Sequence, residues 1–171
     1  MLKTVGAALI LLSSCTVGFG FAGDIRRQTA QLSALISALE NLHGEISVRR
    51  TPLAEALLML SDGENREVGQ FFHLCADHLA DSCRTSPYLA IRSALDGAKG
   101  LMFSQQTRLT LLSFGMSLGK FDAQAQLAAV SHAASRLERE LTELQRLAPA
   151  RSKSYRTIGL CTGLALAVIF L

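Results

Sequence analysis

The chain has 171 residues, of which 49% are hydrophobic, and it carries 17 Lys and Arg against 14 Asp and Glu. Every one of these charges except Lys3 lies between Asp24 and Arg156, which leaves sixteen basic and fourteen acidic residues in that span. This near balance argues against a basic patch for nucleic acid, so we predict no nucleic-acid partner. It also leaves both ends of the chain almost without charge.

The first uncharged segment is residues 4–23. As a helix with a rise of about 1.5 Å per residue it is roughly 30 Å long, which matches the hydrocarbon core of a bilayer. Its sequence LSSC, ending at Cys15, is similar to the processing box of a bacterial lipoprotein, in which Cys15 would become a lipidated N-terminus. Because the apolar character continues beyond Cys15 and only Lys3 precedes the segment, the sequence favours an uncleaved transmembrane helix.

Residues 24–156 have the length of one compact domain, and no alternating apolar and polar run in them predicts a strand. Apolar residues recur at helical spacing instead, and the first such stripe consists of Ile25, Leu32, Leu35, Leu39, Leu42 and Ile46. This periodicity predicts an all-α domain, a bundle of about six helices.

Two dipeptides mark helix starts inside the bundle, Thr51-Pro52 and Ser86-Pro87. A hydroxyl side chain can cap the first free N–H groups of a helix, and proline fits the first turn because no N–H is needed there. After Pro52 we expect a buried stripe that begins with Leu53. The residues from Ser61 to Asn65 predict a loop.

A polar cluster, HLCADHLADSC, raises the question of a metal site. His73, Asp77 and Asp81 recur every fourth residue and therefore share one helix face. Zinc sites usually show more closely paired Cys and His ligands, however. Cys75 belongs instead to the predicted apolar face of the same helix, which consists of Val68, Phe71, Phe72, Cys75 and Leu79. A solvated polar face is the favoured interpretation, and a metal-dependent enzyme is the rival one.

Gly115 and Gly119 lie four residues apart in LLSFGMSLG. A glycine inside a helix costs about 1 kcal/mol relative to alanine, so we expect a close helix crossing at Gly115 and either a crossing or a helix end at Gly119. Asp122 is the predicted N-cap of the last and longest helix of the bundle, which is predicted to end at Pro149. The outer face of that helix carries two oppositely charged pairs four residues apart: Arg136–Glu140 and Arg139–Glu143.

The C-terminal residues 157–171 again contain no charge. Fifteen residues give only about 22 Å of helix, so this segment is a short predicted transmembrane helix; a shallow interfacial anchor is the alternative, but the segment has no polar face for it. Small residues recur every fourth position in both hydrophobic segments and predict close helix packing there: Ser14, Gly18 and Ala22 in the first, and Gly159, Gly163 and Ala167 in the second.

Basic residues flank both hydrophobic segments on their inner sides: Arg26, Arg27, Arg151, Lys153 and Arg156. The positive-inside rule then predicts an integral protein of the cell membrane with residues 24–156 in the cytoplasm. The same five residues suit the anionic head groups of the lipid membrane.

The sequence carries none of the common catalytic motifs, neither a phosphate-binding glycine loop ending in Lys-Ser/Thr, nor Gly-x-Ser-x-Gly, nor His-Glu-x-x-His. We therefore predict no enzymatic activity, no cofactor, no metal and no small-molecule substrate.

Several segments together resemble the stage III sporulation protein AB family of endospore-forming bacteria. They are MLKTVGAALILLSS, RRQTAQLSALISALENLHGEI, TPLAEALLML, LLSFGMSLGKFDAQAQ and RTIGLCTGLALAVIFL. The residues that carry the most specific part of the resemblance are Thr51, Pro52, Leu53, Glu55, Gly115, Gly119 and Asp122.

This family is similar to the inner-membrane platform proteins of type II secretion and type IV pilus machines. The resemblance implies a non-enzymatic platform of the mother-cell membrane in the channel complex between mother cell and forespore. It also implies two kinds of partner, a secretion-type ATPase on the cytoplasmic side and other membrane subunits of the complex. The rival interpretation is a two-helix membrane sensor or signalling scaffold, which would need a ligand-binding region on the far side of the membrane, where the predicted orientation leaves almost no chain.

Overall fold

In a computed structural model of the protein, the backbone is described for residues 2–49, 52–63, 65–81, 86–118 and 123–170, and the side chains for residues 23–48, 52–63, 65–80, 86–118 and 124–148. Within these ranges the chain is helical and contains no strand, which confirms the predicted all-α class. The α-helices are α1 (Leu2–Gly44), α2 (Leu53–Met59), α3 (Arg66–Asp81), α4 (Pro87–Gly97), α5 (Gln105–Leu118) and α6 (Ala123–Phe170). A π-helical segment, Glu45–Arg49, follows α1, and a 3₁₀ turn, Leu60–Asp62, follows α2.

The first and last helices are longer than the sequence predicted. The backbone of α1 is one helix of 43 residues and that of α6 one helix of 48 residues. The prediction that Pro149 ends the last helix is wrong, because α6 continues to Phe170. A proline inside a helix removes one backbone hydrogen bond, and the long helical segments on both sides outweigh that loss.

The structure divides into two compact units. One unit contains the two ends of the chain, residues 1–29 and 143–171, and the other contains residues 30–142. The groove, the helix crossing and the exposed face described below all lie within the second unit.

The core of the second unit is built from the apolar stripes that the sequence predicted. Leu35 and Leu39 of α1 are fully buried, and so are Phe71 and Phe72 of α3. The rings of Phe71 and Phe72 meet edge to face with centroids 5.1 Å apart, and Phe103 approaches Phe71 in the same way. Such aromatic contacts add to the free energy gained from burial of the rings.

Among the side chains that the structure describes, none of the helices carries an apolar stretch long enough to cross a bilayer. The predicted membrane helices, residues 4–23 and 157–171, lie outside those side-chain ranges except for Gly23. The same holds for the six small residues predicted to pack there: Ser14, Gly18, Ala22, Gly159, Gly163 and Ala167. Both membrane segments therefore stay predictions.

Candidate interaction site

A groove of about 740 Å³ lies between α1 and the segment that contains the 3₁₀ turn and the start of α3. One wall is a face of α1 made of Ala30, Ser33, Ala34, Ser37, Ala38 and Asn41. The other wall is made of Met59, Leu60, Asp62, Gly63, Asn65, Val68 and Gly69.

The α1 wall follows from the spacing of its residues. Positions three and four apart lie on one face of a helix, and the opposite face of α1 carries the buried leucines Leu35 and Leu39. The groove side bears only alanine, serine and asparagine, whose small side chains fill little space. The volume in front of this wall is therefore open.

The second wall is held in place by the start of α3. Asn65 caps this helix: its Oδ1 accepts a hydrogen bond from the N–H of Val68 at 3.1 Å, and its carbonyl accepts one from Gly69 at 2.8 Å. Gly69 lies so close to the 3₁₀ turn that a Cβ there would be 2.3 Å from the carbonyl oxygen of Ser61. The predicted loop at Ser61 and Asp62 is thus a 3₁₀ turn packed directly on α3.

The lining of the groove suits binding rather than catalysis. Asp62 is the one ionisable side chain among its lining residues, and the apolar side chain of Met59 is 48% exposed at its edge. A wall of small side chains allows a close approach of another backbone, as in the recognition of a helix by a groove. The site is accordingly a candidate docking site for a protein segment.

Gln31 anchors α1 to the connection between α4 and α5. Its side chain is only 1% exposed. The amide nitrogen donates to the carbonyl of Gly100 at 2.9 Å, and the amide oxygen accepts from the N–H of Met102 at 2.7 Å. Gly100 has a φ of +85°, a conformation that glycine adopts without strain. This buried clamp fixes the rotation of α1 and therefore the direction of its groove face.

A second polar contact joins α5 to α6. Ser104 accepts a hydrogen bond from the N–H of Thr107 at 3.0 Å, and the hydroxyls of both residues donate to the carboxylate of Glu140, Thr107 at 2.8 Å. A carboxylate at the N-terminus of a helix is favoured by the helix dipole. Glu140 therefore stabilises the start of α5.

The ion pairs predicted on α6 are replaced by other contacts in the structure. Glu140 bonds to Ser104 and Thr107 instead of Arg136, and Glu143 pairs with Arg146 at 3.1 Å instead of Arg139. Glu140 contacts α5 rather than Arg136, because an exposed ion pair four residues apart on a helix contributes only a few tenths of a kcal/mol.

Gly115 lies at a close crossing of α4 and α5. A Cβ at this position would be 2.9 Å from Cδ1 of Ile91, 3.0 Å from Cα of Tyr88 and 3.2 Å from the carbonyl oxygen of Pro87. Glycine therefore lets the two helix backbones approach to a distance that a side chain would prevent, which is the role that the sequence analysis expected.

Two residues of the polar cluster on α3 are in direct side-chain contact. Nδ1 of His73 is 2.9 Å from Oδ2 of Asp77, and both side chains are about half exposed. No set of three His, Cys, Asp or Glu among the described side chains is arranged to hold a metal ion, and the side chain of Asp81 lies outside them. Cys75 is buried in the core, and this burial raises the pKa of its thiol, so that it stays protonated at neutral pH.

Comparison with known proteins identifies the family. The profile that describes stage III sporulation protein AB matches residues 3–171. The chain belongs to the stage III sporulation protein AB family. Stage III sporulation protein AB of Bacillus subtilis (strain 168) is 25% identical to it over 174 residues, which cover the whole of both chains. A solved structure of stage III sporulation protein AB has the same fold, with a TM-score of 0.66 and 24% identity over 71% of this chain and 96% of the solved one.

The residues that carried the resemblance to this family occupy helix starts and crossings where the structure describes them. Pro52 lies immediately before α2, one residue earlier than the sequence predicted, and its carbonyl accepts from the N–H of Ala56 at 3.0 Å. Leu53 is partly buried and Glu55 is exposed in the first turn of α2. Thr51, Gly119 and Asp122 lie outside the described residues.

The equivalent helix start at Ser86 shows the predicted chemistry. The side-chain oxygen of Ser86 accepts from the N–H of Leu89, and Pro87 occupies the first turn of α4. Neither the role of Gln31 nor the contact of Glu140 with Ser104 was predicted from the sequence. A glutamine directly beside the buried leucine stripe of α1 is a possible sequence signal for the first, whereas the second has none in the sequence pattern.

Proposed function

We propose that this protein is a non-enzymatic membrane platform of the sporulation channel complex between mother cell and forespore. It acts with a secretion-type ATPase and is required for spore development after engulfment. The observation that carries the proposal is the match of the stage III sporulation protein AB family over residues 3–171, because both uncharged ends and the helical domain belong to that single match.

Charge and hydropathy support an anchored arrangement. The uncharged segments 4–23 and 157–171 suit membrane insertion, and basic residues on their inner sides favour a cytoplasmic position for residues 24–156. An ATPase works where ATP is found, so a domain in the cytoplasm is one that it can reach. The sequence contains no phosphate-binding loop of its own, and the motor must therefore be a separate subunit.

The groove between α1 and the start of α3 supports a role in binding proteins. Its walls combine small side chains with an apolar edge, and neither wall offers a nucleophile paired with a base. The similarity of the family to the platform proteins of type II secretion and type IV pilus machines points in the same direction. The lipid membrane and the other membrane subunits of the complex are the remaining proposed partners.

Co-purification tests the ATPase partnership. The full-length chain, extracted in mild detergent from sporulating cells with an affinity tag, is expected to retain the secretion-type ATPase of the same complex. An unrelated tagged membrane protein with two membrane helices serves as the control. Recovery of the ATPase with neither protein, or equally with both, would contradict the partnership.

Deletion of the gene tests the cellular role. Cells without this protein are expected to grow normally in rich medium and to stop spore development after engulfment. Heat-resistant spores are counted, and engulfment is followed by membrane staining. A normal spore count would remove the proposed function, and a block before engulfment would place the protein at another stage.

The packing of the predicted membrane helices is tested by Gly163→Leu. A leucine at this position would prevent the close helix approach that Gly159, Gly163 and Ala167 allow. Assembly into the complex is expected to fall while membrane insertion stays normal, as measured by co-purification and by membrane fractionation. Unchanged assembly would show that this stripe is not a contact.

A further inference from the structure

Helix α5 exposes apolar side chains on the face that points away from the core. Met116 is 67% exposed and Leu109 is 52% exposed, while Leu112 between them is half-buried. The three positions are separated by three and four residues and therefore form one stripe along the helix. We refer to Leu109, Leu112 and Met116 as the α5 outer stripe.

The same helix is already apolar on its inner face. Leu111, Phe114 and Leu118 are buried there, together with Gly115 at the crossing with α4. A helix at the surface of a domain normally has a polar outer face, and α5 departs from this rule over two turns. Contiguous exposed apolar surface of this kind marks interaction sites.

A single charged residue, Arg108, borders the stripe on this helix. Arg108 precedes Leu109, and no Asp or Glu occurs between Gln105 and Leu118. On the neighbouring helix, Ile91 touches the crossing at Gly115, and the next residue is the exposed Arg92. Tyr88 and Ile91 of α4 both approach Gly115, so Arg92 lies on the turn of α4 that crosses α5.

Both guanidinium groups are available for a partner. Neither Arg92 nor Arg108 makes a side-chain hydrogen bond or an ion pair among the residues that the structure describes. The surface consequently combines an apolar stripe with two positively charged side chains. Helix α5 carries no acidic residue, and Asp96 of α4, four residues after Arg92, forms no ion pair with it among the described residues. Such a surface is complementary to an apolar stripe bordered by carboxylates.

We propose that the α5 outer stripe, with Arg92 and Arg108, binds an acidic amphipathic α-helix of a partner protein. The apolar face of that helix covers Leu109 and Met116, and its Asp or Glu residues pair with the two arginines. A helix is the shape that fits, because side-chain ridges of one helix pack into the grooves of another. Helices that bind membrane surfaces carry many Lys and Arg along the polar face, whereas the remaining exposed positions of α5 are serine and glutamine.

This inference goes beyond the proposed function, because it assigns a partner chemistry to one face without depending on the ATPase. Its test is a binding measurement with designed peptides, so failure of the peptide test and failure of the sporulation phenotype are separate results.

The full-length protein is placed in nanodiscs of neutral phosphatidylcholine, and two fluorescent helical peptides are titrated. Both peptides have the same leucine face; one carries Glu beside it and the other carries Lys. Fluorescence anisotropy is expected to show that the Glu peptide binds at least about 10-fold more tightly than the Lys peptide, a difference of roughly 1.4 kcal/mol. Equal binding of the two peptides, or binding of neither, would overturn the proposal.

Charge reversal then locates the binding site. The double variant R92E/R108E is expected to lose the preference for the Glu peptide or to invert it. The matched control R136E/R139E changes two exposed arginines on α6 and is expected to keep the preference. Equal effects of both double variants would reveal a general charge effect and would contradict the assigned face.

Replacement of the apolar side chains of the α5 outer stripe gives an independent test of the binding site. L109Q/M116Q is expected to weaken binding of the Glu peptide at least about 10-fold, whereas L58Q, a change at an exposed leucine of α2, leaves it unchanged. Circular dichroism verifies that each variant is folded. Two further outcomes would each replace the proposed partner: self-association of the wild type that L109Q/M116Q abolishes, or tight binding of anionic vesicles with no peptide preference.

Discussion

Small residues line two helix surfaces of this protein. On one surface they allow a close contact between two helices, and on the other they leave an open groove. At the crossing of α4 and α5, Gly115 is small because the backbone of α4 occupies the space that its side chain would need. Along the groove face of α1, Ser33 and Ser37 are also small residues, but the space in front of them is open. A small residue in a helix thus marks either a contact already made within the chain or room left for another molecule.

The two surfaces differ in the neighbours that a larger side chain would contact. A Cβ at Gly69 or at Gly115 would overlap a neighbouring backbone, so these residues hold helices together at close range. Ser37 is exposed on its helix and borders the groove. Close helix contacts such as those at Gly69 and Gly115 stabilise the fold, whereas the groove can be filled without changing the stability of the fold.

The largest expected difference between the packed core and the open groove is in the reactivity of a cysteine thiol. Cys75 is buried, and burial raises the pKa of its thiol, so that alkylation requires local or global unfolding. A cysteine introduced by Ser37→Cys lies in the groove and is expected to react with N-ethylmaleimide at least about 1,000-fold faster, because native domains are stable by roughly 5 kcal/mol or more. Peptide mass spectrometry measures both rates in one sample.

The pH dependence sharpens the same measurement. The rate at the introduced cysteine should rise about tenfold per pH unit up to its pKa, because the thiolate is the reactive form. The raised pKa keeps folded Cys75 protonated in the same range, so it should react only from unfolded molecules, and its rate should stay lower than that of the introduced cysteine by the unfolded fraction at every pH. Guanidinium chloride should make the two rates equal, and rapid labelling of Cys75 in the native protein would show that α3 is not packed as described.

The next largest effect is expected from Gly69→Ala. The new Cβ would lie 2.3 Å from the carbonyl oxygen of Ser61, and a backbone atom cannot move aside without displacing the 3₁₀ turn. We expect the free energy of unfolding to fall by about 2–3 kcal/mol, as found for overpacked sites, in urea denaturation followed by circular dichroism. Gly44→Ala is the matched control, since nothing lies within 4 Å of its Cβ, and it should be neutral or stabilising by up to about 1 kcal/mol.

Sequence periodicity predicted most of the core, and it did so for a clear physical reason. The buried leucines of α1 repeat every three or four residues, as do Val68, Phe72 and Cys75 of α3, and this spacing alone places each set on one helix face. The cap at Ser86 was also predicted, because hydroxyl caps and first-turn prolines act over only three residues.

Contacts between distant parts of the chain were not predictable in this way. Gln31 bonds to groups 69 and 71 residues away, and Ser104 bonds to Glu140, which is 36 residues away. Nothing in the local pattern specifies such a partner. The groove was not predicted for the same reason. The small residues on one face of α1 indicate that space is available in front of them, but not which segment of the chain forms the opposite wall. The prediction that the last helix ends at Pro149 was wrong because the loss caused by one proline is smaller than the stabilisation from the helical segments on both sides of it.

A smaller effect is expected from Gly115→Ala at the crossing. The nearest atom is Cδ1 of Ile91, the flexible tip of a side chain that can turn aside, but Cα of Tyr88 at 3.0 Å cannot. The gain in helix propensity of about 1 kcal/mol offsets part of the strain. We expect a net loss of about 1 kcal/mol in urea denaturation. A gain in stability would mean that the two helices are further apart in solution.

The smallest effect on stability is expected from Ser37→Leu in the groove. The larger side chain enters open space and overlaps nothing, so the free energy of unfolding should change by less than about 0.5 kcal/mol. A loss above about 1 kcal/mol would show that the groove is closed in the folded protein. If the groove is a docking site, the same variant should weaken co-purification of the ATPase while the fold remains intact.

The proposed function requires both ends of the chain to lie in the membrane and the helical domain between them to be on the cytoplasmic side. Proteinase K added to intact protoplasts tests this most directly, with antibodies against residues 24–156 and with a surface-exposed membrane protein as the positive control. Residues 24–156 are expected to remain intact until the protoplasts are permeabilised, and mass spectrometry is expected to find an unprocessed N-terminal segment. Digestion of the domain in intact protoplasts, or a mature chain that begins with an acylated Cys15, would contradict the proposed function.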